Sequence, residues 1–87
     1  MTKQQKLLAK LLRVPPPKDL TWDELECCLG NLGLLFQPAA GGGSHGRFVS
    51  KEDPSLFFLT CRPHPHPIVS SGTIRHLVQW LVENQFI

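Results

Sequence analysis

The chain has no apolar run approaching the ~20 residues that a membrane-spanning helix requires, and Lys10 and Arg13 interrupt its one N-terminal leucine cluster before it could serve as the apolar segment of a secretion signal. Its three cysteines form an odd set, with Cys27 and Cys28 adjacent and Cys61 apart, which is not the framework of a disulfide-stapled secreted domain. A cytoplasmic protein that does not engage membranes is the expectation. Net charge is also scarce: a formal +2 is too little for dominant electrostatic capture of long nucleic acid but leaves room for a local basic patch. The seven carboxylates are scattered over helix starts, a turn and a helix end, so a two-metal phosphodiesterase has no cluster of ligands. The glycines at 41–43 lack a following Gly-Lys-Ser/Thr, which excludes the phosphate-cradling loop of an NTPase. With 87 residues the chain can bury one modest core and has no spare volume to enclose a cofactor, so none is expected.

What is present divides at about residue 20. In residues 1–20, Leu7, Leu8, Leu11 and Leu12 share one side of a helix predicted over 3–13 while Lys3, Lys6, Lys10 and Arg13 share another. Such a basic amphipathic helix suits a membrane surface, RNA or a partner, but docking on the domain with a solvated basic side is the simplest reading. Pro15, Pro16 and Pro17 stop it and form a stiff spacer.

Residues 21–87 read as helix, three strands, helix. Thr21-Trp22-Asp23-Glu24 is a capping box opening a helix with Trp22, Leu25, Leu29 and Leu32 as its buried stripe and Gly33 as the left-handed stop. Strands are predicted at 34–37, 44–50 and 56–62, short enough to pair as an antiparallel meander. A final helix is predicted over 72–84 behind a serine cap at Ser70 or Ser71, its core stripe being Ile74, Leu77, Val78, Leu81 and Val82. Trp80 falls on the other side of that helix, to be covered by Phe86, Ile87, the first helix or a partner. The fold class is therefore α+β, in the order α-α-β-β-β-α, with helices on one face of a three-stranded antiparallel sheet.

The chemistry concentrates in Gly41 to Phe48. Side chains two apart on a strand point to one face, so His45 and Arg47 stand together on the open face while Gly46 and Phe48 turn toward the core. Imidazole carries protons near neutral pH, and guanidinium offers a planar fork to phosphate oxygens. RNA supplies its own internal nucleophile, which makes a metal-free ribonuclease feasible: a histidine takes the 2′-hydroxyl proton or protonates the leaving 5′-oxygen, and an arginine stabilises charge gathering on phosphate. Ser44, Lys51, Arg62 and His64 are further candidates for RNA contacts. Cys61, His64 and His66 have zinc-ligand chemistry at short spacing, but the alternating prolines hold an extended path and no fourth ligand follows, so no metal is expected.

Gly-Gly-Ser-His followed by Arg-Phe, then Arg-Pro-His-Pro after an apolar strand, then Thr-Ile-Arg opening the last helix, resemble in that order the HicA family of bacterial toxins. Lys-Leu-Leu-Ala-Lys-Leu-Leu and Pro-Lys-Asp-Leu-Thr-Trp-Asp-Glu-Leu extend the resemblance to a longer N-terminal variant of that family. It implies a fold similar to a double-stranded-RNA-binding domain, cleavage of mRNA by an endoribonuclease, and silencing by a cognate HicB-like antitoxin that covers the toxin. The family's motif histidine falls on His45; Gly46 stands where many relatives carry a basic residue or a second histidine. The expectation is an endoribonuclease toxin of a toxin-antitoxin module with His45 as general acid or base. The alternative is a non-catalytic module that binds RNA or the antitoxin.

Overall fold

The computed structural model describes residues 2–41 and 43–87, so Gly42 of the glycine run and Met1 of the first segment lie outside the described residues. Six elements follow in order: α1 (Lys3–Leu11), α2 (Trp22–Asn31), β1 (Leu34–Pro38), β2 (His45–Ser50), β3 (Phe57–Cys61) and α3 (Ser71–Glu83). The three strands form one antiparallel meander, β1-β2-β3. Phe48 lies between Phe36 and Phe58, and Arg47 between Gln37 and Leu59. Strand alternation therefore gives the sheet one aromatic face and one mixed face.

The aromatic face carries the core. Trp22 of α2 meets Phe36 edge-on at 5.0 Å between ring centroids and Phe48 at 5.4 Å. Leu25, Leu29, Leu34, Ile74, Leu77 and Leu81 close the cluster. Leu7 and Leu11 of α1 belong to the same cluster, so the N-terminal segment is built into the domain. Its docking is also polar. The Gln4 side-chain amide donates to the Cys28 carbonyl at 3.2 Å and its oxygen accepts from the Asn31 amide at 2.9 Å, while Lys10 pairs with Glu24 at 3.2 Å and Asp19 at 3.6 Å.

The local signals explain the boundaries. Thr21 accepts from the Glu24 N–H at 3.1 Å while the Glu24 carboxylate accepts from the Thr21 N–H at 3.0 Å, the reciprocal bonds of a capping box. Gly33, at φ 90°, turns the chain out of α2 and into β1. Ser70 caps α3 by accepting from the Thr73 N–H at 3.2 Å. An isolated bridge between Thr21 and Ile68, with Val69 N–H donating to the Leu20 carbonyl at 2.9 Å, ties the starts of α2 and α3 together.

Several finer expectations are revised. α1 ends at Leu11 and not at Arg13, and Leu12 is exposed. Lys10 does not belong to a solvated basic side, because its two carboxylate partners hold it against α2. Val82 is 55% exposed and lies outside the α3 stripe, which narrows to Ile74, Leu77 and Leu81 with Val78 at its margin. Trp80 is covered from within the chain: it stacks on Phe86 at 5.3 Å and leans on Phe58 at 5.9 Å. The cause lies at the end of α3, where Gln85 adopts φ 63° and the N–H groups of Gln85 and Phe86 donate to the carbonyls of Val82 and Leu81. This is a Schellman turn made without glycine, and it folds Phe86 back over the indole.

Candidate functional site

The mixed face of the sheet is not covered by any helix, and His45 and Arg47 project from it, both exposed. Their placement follows from Gly46 and Phe48, which must face inward. A Cβ on Gly46 would run into the Gln37 carbonyl oxygen and the Phe36 ring, so the inward position between the two functional side chains has no room for any side chain.

His45 is the first residue of β2 and pairs across the ladder with Cys61, the last of β3. The carbonyl of His45 accepts from the Ala39 N–H at 2.9 Å, and the Arg62 N–H donates to the Ser44 carbonyl at 2.7 Å. These backbone bonds on either side fix the imidazole at the sheet corner. Arg47 is held from two directions: its guanidinium lies 5.1 Å from the centroid of the Phe57 ring, and its Nε donates to the Gln37 side-chain oxygen at 3.4 Å. One face of the guanidinium is occupied by an aromatic ring, which pre-orients the outward N–H groups for an acceptor in solution.

His45 and Arg47 of β2 line a concavity of about 670 Å³ together with Gln37 of β1 and Leu59, Thr60 and Cys61 of β3. Among the described residues no carboxylate lines it. An anion entering it meets one imidazole, one guanidinium and one thiol, and no like charge. A second hollow of about 540 Å³ abuts the same sheet corner and is lined by Ser44, Arg62, His64 and the prolines Pro63, Pro65 and Pro67. The structure thus divides the sequence-predicted residues into two adjoining groups, His45 with Arg47, and Ser44 with Arg62 and His64. Lys51 joins neither. It follows the last residue of β2, at the end of the strand away from His45, in a hollow it shares with Glu52 and Asp53.

Cys61, His64 and His66 do not converge: no group of three metal-ligating side chains forms among the described residues. The Cys61 sulfur instead contacts the Ser44 hydroxyl at 3.2 Å. Three neighbours of the site were not singled out from the sequence: Gln37 and Phe57, which hold Arg47, and Leu59, 71% exposed beside it. Their signal was present only in the pairing register, which brings residues of β1 and β3 alongside Arg47.

No family model, no curated protein and no solved structure matches this chain. Its candidate function therefore rests on the site and on the order of motifs in the sequence. Among the described residues no helix is long and apolar enough to cross a membrane.

Proposed function

We propose that the protein is a toxin of the HicA kind, an endoribonuclease that cleaves mRNA and is held inactive by a HicB-like antitoxin. The observation that carries this reading is the pairing of exposed His45 with a pre-oriented Arg47 on an open sheet face, in a concavity without carboxylates. The order α2-β1-β2-β3-α3, with helices behind the sheet, supports a likeness to double-stranded-RNA-binding domains, whose ligands are gripped chiefly through phosphates and 2′-hydroxyls.

In the proposed reaction the 2′-oxygen of a ribose attacks the adjacent phosphorus, its proton passes to a base, and the 5′-oxygen leaves with a proton from an acid. His45 serves one of these proton transfers and Arg47 neutralises charge on the non-bridging oxygens. Ser44, Arg62 and His64 lie along the continuation of the same corner and hold the RNA backbone. The products are a 2′,3′-cyclic phosphate and a 5′-hydroxyl. Incubating the purified protein with naked mRNA in EDTA and identifying the new ends tests this: cyclic phosphate with 5′-hydroxyl ends supports it, and 5′-phosphate ends or intact RNA contradict it.

The second reading, a non-catalytic module of the same fold, draws on the other half of the open face. Leu35, Phe57 and Leu59 expose an apolar strip beside Arg47, a surface better suited to a protein such as the antitoxin than to RNA phosphates. Salt-sensitive RNA binding without new ends would favour it.

A further inference from the structure

On the helical side of the molecule, where the proposed reaction has no part, a groove of about 310 Å³ runs between the end of α1 and the margin of the buried stripe of α3. Its lining is largely aliphatic, with Leu11 and Ile74 buried at its base, Val78 half-buried, and Leu12 and Val14 exposed at its rim, and among the described residues no carboxylate lines it. Val14 is 95% exposed and Leu12 40%. Arg13 and Arg75 line the groove as well, and neither makes a salt bridge among the described residues. Aliphatic side chains thus sit beside two uncompensated guanidinium groups. Among the described residues no aromatic side chain lines the groove, so it gives nucleic-acid bases nothing to stack on.

We infer that this groove is the docking site for an acidic amphipathic helix of a partner protein, whose aliphatic side chains fill the groove while its flanking carboxylates pair with Arg13 and Arg75. The occupant follows from charge complementarity and from helix-in-groove recognition, which needs an apolar slot with charged margins. The inference goes beyond the proposed function and does not depend on His45 being catalytic.

The test titrates a synthetic amphipathic peptide of leucine and glutamate into the isotope-labelled full chain and follows backbone amide resonances. The expected result is saturable shifts confined to residues 12–14 and 74–79, binding weakened about tenfold or more both by Arg13→Glu combined with Arg75→Glu and by Val14→Asp, and no binding of the matching leucine and lysine peptide. Val14→Asp alters a side chain that touches little of the fold, so it keeps the test decisive should the double charge reversal fail to fold. Absence of saturable shifts, shifts on the sheet face, or equal binding of the lysine peptide would overturn the inference. So would shifts at the groove that depend on protein concentration alone, which would mark self-association, or that come from anionic phospholipid vesicles while the glutamate peptide is silent.

Discussion

His45 and Cys61 face one another across β2 and β3 as a non-hydrogen-bonded pair, the arrangement in which opposed side chains approach most closely on an antiparallel sheet. The Arg62 N–H bonded to the Ser44 carbonyl, one step outside the pair, identifies it as that type. Cys61 is the exposed cysteine of the three, Cys28 being buried and Cys27 half-buried.

A bulky maleimide on Cys61 is accordingly expected to block RNA cleavage or binding at the His45 concavity. Cys61→Ala should retain activity and resist the reagent. Mass spectrometry of the labelled protein beside a cleavage assay checks this, and full activity with Cys61 quantitatively modified would mean that RNA does not occupy that corner.

Arg47 and Lys51 separate site from surroundings within one stretch of chain. Arg47→Ala should weaken RNA binding and lower the slope of log affinity against log salt by about one. Lys51→Ala, beyond the other end of the strand and flanked by acids, should change neither appreciably. Binding isotherms across a salt series distinguish the two, and equal losses from both variants would point to a diffuse basic surface.

Gly46 is fixed by geometry and not by backbone conformation. Gly46→Ala places a methyl against the Gln37 carbonyl and the Phe36 ring, and relieving that overlap should cost about 1–3 kcal/mol, the range of overpacked sites. Urea denaturation measures it. An unchanged midpoint would show that the sheet yields without cost.

Glu24 links the capping of α2 to the docking of α1, and its carboxyl is held below its ordinary range chiefly by the Thr21 backbone N–H and further by Lys10, against an opposing effect of burial. The folded form thus prefers the ionised carboxylate more than the unfolded chain does. Its stabilising contribution is complete above the unfolded carboxylate range and is lost as pH falls through the lowered folded value. Glu24→Gln should remove that part of the acid-limb dependence while leaving other carboxylates to titrate. Denaturation midpoints of both proteins between neutral and acid pH would show the curves converging as pH falls; parallel curves would contradict the assignment.

The placement of His45 and Arg47 was legible in the sequence because strand alternation is local, and the boundaries of α2, the sheet and α3 were legible because Thr21, Gly33 and Ser70 are local signals. The engagement of Lys10 was not, since its partners Asp19 and Glu24 approach only after the triproline turn brings α1 back over α2. The partial covering of Trp80 depended on a left-handed residue at Gln85, where no glycine marks the turn. The support of Arg47 by Phe57 and Gln37 required the register between strands, which apolar periodicity does not specify. Val82 illustrates the converse: its spacing fits the α3 stripe, but only the narrower arc of Ile74, Leu77 and Leu81 is buried in the core.

The central claim is that the exposed imidazole of His45 carries a proton in RNA cleavage. Because the side chain lies outside the core, His45→Ala should leave the fold and its denaturation midpoint intact, so the measurement is the rate at which the purified variant cuts naked mRNA in EDTA, compared with the unaltered protein. Loss of cleavage with RNA binding retained is the predicted result; undiminished cleavage by the variant would contradict it.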